Sequence, residues 1–161
     1  EDRPASIDNR TTRYHWEADT VIGAIGCKHC LVTLVERKTG YMLIGKLPNR
    51  TAKAASAKII QMLKKFPVKV LSITCDNGTE FHAFKTIERA LDIKVYFAHP
   101  HSAWERGTNE NTNGLLRQYA PKGVSMKHLS QWDCNAIARN LNTRPRKRLG
   151  YKTPKSQLLA A

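Results

Sequence analysis

Short apolar runs separated by polar turns dominate the first third of the chain. Three such runs are rich in β-branched and aromatic residues, as strands are, and only a few residues connect each run to the next. Gly26 and Gly40 lie in these connections, where glycine favours tight turns. Two short connections in succession predict an antiparallel meander over residues 16–24, 30–36 and 41–47.

The pattern changes to helical spacing after Pro48. Between residues 52 and 65, apolar side chains recur every three or four positions and lysines occupy the other side, which predicts an amphipathic helix capped by Thr51. A dense apolar run then predicts a buried strand at 68–74. The remaining elements are a helix at 82–91, a strand at 93–97 and helices at 108–119 and 131–142.

This order of elements predicts an α/β fold with a mixed five-stranded sheet. The sheet combines the three-strand antiparallel meander with parallel strands, and helices cover both of its faces. The length of 161 residues fits one domain. We expect a loose lead-in segment at 1–13 and a single core domain at 14–161. Because the chain starts at Glu1 rather than Met, we expect it to be a fragment of a longer protein.

The charge of the chain favours a polyanionic partner. Lys and Arg number 27 against 13 acidic residues, a formal net charge of +14. Such a field attracts nucleic acid and supplies sequence-independent affinity through counterion release. A basic protein without such a partner and a phospholipid-surface binder are the alternatives. No signal peptide or transmembrane run is evident, so we expect a cytoplasmic protein without a membrane partner.

Cys27 and Cys30 have the spacing of metal ligands, and a zinc site is therefore an alternative to consider. A structural zinc site takes four ligands, and no second Cys or His pair has conventional spacing. The stretch is interpreted more simply as a turn between two strands.

Three acidic residues occupy positions where they can meet at one end of the sheet. Asp19 lies within the first predicted strand, Asp76 directly follows the fourth, and Glu110 falls in a later helix, with residues 77–109 between the last two. Three carboxylates can hold two divalent ions for phosphodiester chemistry, and Mg²⁺ prefers oxygen ligands. Glu110 is favoured over Glu105 because its helical phase points away from the apolar side.

Each of these acids also has an ordinary interpretation. A single surface Glu is usually solvated, and an Asp before Asn-Gly is usually a turn residue. Asp19 is harder to explain in this way, because an ionised carboxylate within an apolar strand requires a partner or a metal.

Three segments and a basic stretch together resemble the DDE integrase core, which retroviral integrases and many bacterial transposases share. The most similar group is the insertion-sequence transposases of the IS-thirty family, and the likeness covers residues 13–158. Ala18 stands where the family pattern has Gly. The segments are Trp16-Glu17-Ala18-Asp19, Cys75-Asp76-Asn77-Gly78-Thr79-Glu80-Phe81, Gly107-Thr108-Asn109-Glu110-Asn111-Thr112-Asn113-Gly114-Leu115-Leu116-Arg117 and Asn142-Thr143-Arg144-Pro145-Arg146-Lys147.

The resemblance implies an RNase H-like fold and a polynucleotidyl transferase. Asp19, Asp76 and Glu110 would be both the catalytic residues and the metal ligands, holding two Mg²⁺ or Mn²⁺ ions in the DNA-bound state. The implied reaction is cleavage and 3′-hydroxyl strand transfer of transposon ends into target DNA, by a homo-oligomer acting on paired ends at the bacterial nucleoid. The family also carries an N-terminal DNA-binding region, which we expect to be absent from this chain.

Polar and basic residues around the acids are candidates for DNA contacts. Arg matches phosphate with a fork of donors, and the run from Arg144 to Arg148 is the densest basic stretch of the chain. A solvated charge run is the alternative for that stretch. The candidates are Asn77, His101, Arg106, Asn113, Arg117, Arg144, Arg146, Lys147 and Arg148.

Two other functions remain open at this point. An RNase H-like nuclease that only hydrolyses nucleic acid would share the three acids, and a strand-transfer assay distinguishes it. A nonenzymatic DNA-binding fragment is the other alternative, and the presence of all three acids with their Asn and Gly neighbours argues against it.

Overall fold

The computed structural model describes residues 3–67, 69–98 and 107–160, with only the backbone described for 107–110. Five strands and six α-helices occur in these ranges. The strands are β1 (His15–Ile22), β2 (Cys30–Glu36), β3 (Met42–Leu47), β4 (Ser72–Cys75) and β5 (Lys94–Phe97). The helices are α1 (Ala5–Asp8), α2 (Ala52–Lys65), α3 (Phe84–Leu91), α4 (Gly107–Leu116), α5 (Gln131–Asn142) and α6 (Pro154–Leu158), with 3₁₀ turns at Thr79–Phe81 and Lys147–Leu149.

The five strands form one mixed sheet in the order β3-β2-β1-β4-β5. The pairs β1–β2 and β2–β3 are antiparallel, while β1–β4 and β4–β5 are parallel. The parallel register places His15 beside Ser72 and Glu17 beside Thr74. This register determines which residues meet where β1 and β4 run side by side.

Helices cover both faces of the sheet, because alternate residues of each strand enter two separate cores. On one face, Trp16 and Val32 pack with α2 and α3. On the other face, Val21 and Leu31 pack with α4 and α5. The predicted fold class is therefore confirmed. Among the described helices, none combines the length and the apolar character that a membrane span requires.

Several boundaries differ from the sequence prediction. The fourth strand was expected at 68–74 but begins only at Ser72, where pairing with His15 starts, and it runs on to Cys75. The helix expected at 82–91 begins at Phe84, because a 3₁₀ turn precedes it. The helix α6 was not predicted, although Thr153 caps it and Pro154 occupies its first turn.

The lead-in segment is not loose over its described part. Residues Ala5–Asp8 form a short helix, and Ile7 is buried. The backbone carbonyl of Ile7 accepts a hydrogen bond from Nε of Arg37, itself buried. One apolar residue and one buried partner are enough to attach this segment to the sheet. The division of the chain at residue 13 stays a prediction.

The predicted cap of α2 is confirmed, since the hydroxyl of Thr51 accepts a hydrogen bond from the Ala54 amide at 3.2 Å. We expect Thr51→Ala to lower the free energy of unfolding by about 1 kcal/mol, because one amide of the first turn loses its partner. Urea denaturation measures this. Thr51→Ser keeps the hydroxyl and should lose much less; equal losses for the two variants would contradict the cap's role.

Candidate active site

Asp19 and Asp76 lie at matching positions of neighbouring parallel strands. The two strands pair up to Glu17 and Thr74, and Asp19 and Asp76 each lie two residues beyond that pair, Asp76 just after the end of β4. Strand residues two apart share a face, so Asp19 lies on the face of Val21, which packs with α4 and α5. Asp76 shares that face by the same alternation, and both carboxylates are half-buried. The sheet therefore brings together two of the three predicted acids.

The carboxylate of Asp19 is held by two hydrogen bonds. Its Oδ1 accepts from the backbone amide of Thr20 at 2.9 Å, and its Oδ2 accepts from Nδ2 of Asn113 at 2.9 Å. Asn113 lies in α4, so this bond ties the helix directly to the acid in β1. Thr33 in β2 also lies within 3.4 Å of the Asn113 amide oxygen. Asn113, predicted as a DNA contact, thus supports Asp19 in the structure.

The turn after β4 closes on the Asp76 carboxylate. Oδ1 of Asp76 accepts from the Gly78 amide at 2.9 Å, the geometry of an Asx turn, and Asn77 is exposed at its tip. The φ of Gly78 is −61°, so the backbone conformation itself does not require glycine. The lack of space at this position does require glycine, because a Cβ on Gly78 would lie 2.8 Å from Asp76 Oδ1 and 2.6 Å from Glu80 Oε2. Two carboxylates therefore flank this glycine.

Glu80 is a buried carboxylate that the sequence did not single out. Only 2% of its surface is exposed. Its Oε1 accepts from the Thr20 hydroxyl at 2.7 Å and from the Arg50 guanidinium at 2.8 and 3.1 Å. Its partners come from β1 and from the residue before the cap of α2, so no local spacing marked it. The one available signal was its place four residues after Asp76.

The pKa of Glu80 is lowered from its ordinary value of 4.5. Burial alone would raise this pKa, but hydrogen bonds from Thr20 and Arg50 favour the ionised form and outweigh it. A lowered folded-state pKa adds stability above pH 4.5, and that stability disappears as the pH falls through the folded value. We expect Glu80→Gln to flatten the acid limb of the unfolding free energy, measured by urea titration from pH 3 to 7. A pH dependence identical to that of the parent chain would contradict this.

The third predicted acid lies in the expected element. Residue 110 belongs to α4, which runs over Gly107–Leu116, but its side chain lies outside the described residues. Position 110 is one turn before Asn113, on the same side of the helix. Among the described residues, no group of three His, Cys, Asp or Glu side chains is arranged to hold a metal. The role of Glu110 stays a prediction.

The basic candidates lie in different parts of the chain, and the structure describes five of the seven. Arg117 is half-buried in the protein, donating to the carbonyls of Ile22 and Ala120 at 2.9 and 3.3 Å, and burial lowers its pKa. His101 and Arg106 lie outside the described residues. The remaining four form a cluster at the C-terminal end of α5.

That cluster packs the C-terminal segment onto the domain. Arg144 donates to Gln118 and to the Tyr119 hydroxyl, both at 3.1 Å. Arg146 donates to the Leu141 carbonyl at 2.7 Å, and Arg148 to the Lys38 carbonyl at 3.0 Å. Each of these three arginines donates through one or two guanidinium nitrogens and keeps its positive charge. These residues have structural partners, and their role in DNA binding stays a prediction.

A cleft of about 420 Å³ lies between this cluster and α4. Asn111, Thr112 and Leu115 form its wall on α4, and the described lining contains no acidic side chain. Its basic lining consists of Arg10, Arg144, Arg146, Lys147 and Arg148. A larger groove of about 650 Å³ lies along β3 between α2 and α5, and none of the predicted site residues lines it within the described ranges.

Comparison with known proteins places this geometry in a family. The model of the integrase core domain family matches residues 10–103, more than half of the chain. The chain belongs to the integrase core domain family. The match contains Asp19 and Asp76 with the strands that carry them, and it ends before residue 110.

Curated relatives of this integrase core domain are bacterial transposases. The chain is 43% identical over 157 residues to a probable transposase for insertion-like sequence element IS1161 of Streptococcus salivarius, covering 96% of this chain and 44% of the relative. It is 39% identical over 155 residues to the transposase InsI for insertion sequence element IS30A of Escherichia coli K12, covering 96% and 40% respectively. The chain thus spans less than half the length of these relatives.

Solved structures show the same fold. The catalytic core domain of BIV integrase superposes with a TM-score of 0.68 at 21% identity, covering 91% of this chain and 93% of that one. The intasome of simian T-cell lymphotropic virus gives a TM-score of 0.72 at 15% identity, covering 92% and 55%. At such identities the likeness concerns the fold alone, and the RNase H-like fold expected from the sequence is confirmed.

Proposed function

We propose that this chain is the catalytic core of a DDE transposase. Asp19, Asp76 and Glu110 carry the chemistry, which is metal-dependent DNA cleavage followed by 3′-hydroxyl strand transfer. The proposal is carried by the positions of Asp19 and Asp76, each two residues beyond the last pair of β1 and β4, and by the hydrogen bond that ties α4 to Asp19 through Asn113. The family assignment and the transposase relatives support it.

The donor set suits Mg²⁺ or Mn²⁺. Both described acids offer carboxylate oxygens on one face of the sheet, and such oxygens are the ligands these ions take. Each acid has one oxygen held by a backbone amide, of Thr20 or of Gly78, which fixes the carboxylate's orientation. Two bound ions would activate the attacking oxygen and stabilise the leaving oxygen.

The reaction is two successive in-line displacements at phosphorus. In the first, a water oxygen bonds to the phosphorus, the bond to the 3′ oxygen breaks, and a free 3′-hydroxyl remains on the transposon end. In the second, that 3′ oxygen attacks a target phosphodiester and the target's own 3′ oxygen leaves. No bond to a protein atom forms in either step. The residues of the chain orient the two strands and fix the positions of the carboxylates.

A strand-transfer assay tests this function. The full chain is incubated with Mn²⁺ or Mg²⁺, a plasmid target and a labelled duplex that ends in the sequence flanking the coding region, already cut to a free 3′-hydroxyl. Label joined to the plasmid is the expected result. Hydrolysed DNA without joining would replace the proposal with a nuclease, and binding without any cut would replace it with a DNA-binding module.

DNA is the proposed partner, and the basic cleft beside α4 is the proposed path of its backbone. Five basic side chains and no acidic one line the described part of the cleft, whose wall on α4 is Asn111, Thr112 and Leu115. These three positions lie about 100–200° around the helix from position 110, so phosphates bound there would belong to DNA backbone outside the metal centre. In the family context we also propose a homo-oligomer on paired transposon ends and an association with the bacterial nucleoid.

Lys147 tests this path, because it is exposed in the cleft lining. We expect Lys147→Gln to weaken binding of duplex DNA of any sequence and to reduce the slope of log K against log salt by about 1, since one phosphate contact is lost. Fluorescence anisotropy at several salt concentrations measures the slope. Lys64→Gln, on the exposed side of α2, is the matched control and should leave the slope unchanged; equal slopes for both variants would exclude Lys147 from the path.

A further inference from the structure

We propose that Glu80 is a positioning residue that fixes the spacing between the carboxylates of Asp19 and Asp76. This inference rests on the function proposed above, because the spacing matters only if both acids bind metal. Glu80 is not counted among the catalytic residues. It acts through two neighbours, the strand residue Thr20 and the turn at Gly78.

The first link runs to Asp19 through Thr20. The Thr20 backbone amide donates to Asp19 Oδ1 at 2.9 Å, while its hydroxyl donates to Glu80 Oε1 at 2.7 Å. One strand residue thus donates to both carboxylates, to Asp19 through its backbone amide and to Glu80 through its side chain. A displacement of Glu80 removes the anchor of the Thr20 side chain and loosens the amide that orients Asp19.

The second link is steric and runs to Asp76 across Gly78. Glu80 Oε2 and Asp76 Oδ1 lie 2.6 and 2.8 Å from the place where a Cβ on Gly78 would stand. The two carboxylates therefore approach each other across a residue that has no side chain. Oδ1 of Asp76 also accepts a hydrogen bond from the Gly78 amide at 2.9 Å. A shift of this turn toward or away from Glu80 therefore moves the Asp76 carboxylate with it.

The positive charge of Arg50 offsets the repulsion between the Glu80 and Asp76 carboxylates. Its guanidinium donates twice to Glu80 Oε1, while 48% of its side chain remains exposed. The hydrogen bond with Glu80 raises the pKa of Arg50, and ionisation of both partners follows. A chain of hydrogen bonds thus runs from Arg50 through Glu80 and Thr20 to Asp19, and on to Asn113 in α4.

The test measures Mn²⁺ affinity separately from activity. The DNA-bound chain is titrated with Mn²⁺ and the free ion is followed by electron paramagnetic resonance, with unfolding curves recorded for every variant. We expect Glu80→Ala to weaken Mn²⁺ binding by about 10- to 100-fold, the range found when a residue that supports a ligand is lost. Glu80→Gln keeps an acceptor for Thr20 and should recover part of the affinity.

Thr20 provides a second pair of variants in case Glu80→Ala does not fold. Thr20→Val has the same shape without the hydroxyl and should weaken Mn²⁺ binding, whereas Thr20→Ser keeps the hydroxyl and should restore it. Ser130→Ala is the stability control, because it loses the N-cap of α5, whose hydrogen bonds run to Asp133. If Glu80→Ala and Thr20→Val bind Mn²⁺ no more weakly than Ser130→Ala, Glu80 is merely structural and the proposal is overturned.

The two proposals fail in distinguishable ways. If the parent chain binds no Mn²⁺ on DNA, or if Asp19→Asn leaves its binding intact, the proposed function is wrong and this inference falls with it. If Asp19→Asn abolishes binding while the Glu80 and Thr20 variants bind normally, the function stands and only the positioning role is lost.

Discussion

Asp76→Asn is expected to lower the rate of metal-dependent strand transfer by at least about 10²- to 10³-fold, the scale on which a single electrostatic group at a reacting centre acts. Asparagine has the shape of aspartate and its oxygen can still accept from the Gly78 amide, so the turn is retained. What is lost is the negative charge of the carboxylate. A joining assay with pre-cleaved ends, run at saturating Mn²⁺, measures the rate, and Asp19→Asn should behave alike.

Asp92→Asn is the matched control for this loss of charge. Asp92 is exposed and ends α3 in a left-handed conformation with a φ of 52°, which asparagine also adopts readily. We expect full activity and normal unfolding from this variant. If Asp76→Asn retained metal-dependent joining at the level of Asp92→Asn, the assignment of Asp76 to the catalytic site would be wrong.

Glu17→Gln is expected to lower the free energy of unfolding by about 3–5 kcal/mol, the cost of leaving a buried charge without its counter-ion. Glu17 is fully buried in β1 and forms an ion pair with Arg37, which is also buried. Burial lowers the pKa of Arg37, and the neighbouring Glu17 charge opposes that shift. Equilibrium unfolding in urea measures the loss.

A double variant separates the ion pair from mere packing. Glu17→Gln combined with Arg37→Met removes the unpaired cation, so we expect it to be more stable than Glu17→Gln alone. If the double variant loses as much free energy of unfolding as the two single variants added together, the two charges are not coupled. Asp92→Asn again serves as the exposed control and should cost little.

The elements of this fold could be predicted because each carries its own local pattern. Three elements have the expected bounds: the β2 strand, the α2 helix with its Thr51 cap, and the α5 helix. In each of them the hydrophobic pattern, and for the helices the capping residue, lies within the segment itself. The β4 strand was displaced because its start depends on pairing with His15, and that partner lies far away in sequence. Strand ends set by a neighbour leave no signal in their own segment.

The candidate site likewise contains residues that a local sequence pattern marks and residues that only tertiary contacts reveal. The acids Asp19 and Asp76 were recognisable because each interrupts or ends an apolar strand. Glu80 was not, because its partners Thr20 and Arg50 are brought to it only by the folded sheet. The sequence predicted the arginines at the end of α5 as DNA contacts, with a solvated basic run as the alternative, and did not predict that each also donates to a protein oxygen. Tertiary hydrogen bonds of this kind have no periodicity to detect.

Anomalous diffraction from crystals of the chain bound to a DNA end and soaked in Mn²⁺ tests the metal site directly. We expect anomalous density between Asp19 and Asp76, with Glu110 reaching it from α4. A DNA-bound complex with no such density, or with Mn²⁺ held elsewhere and these two acids free of metal, would contradict it.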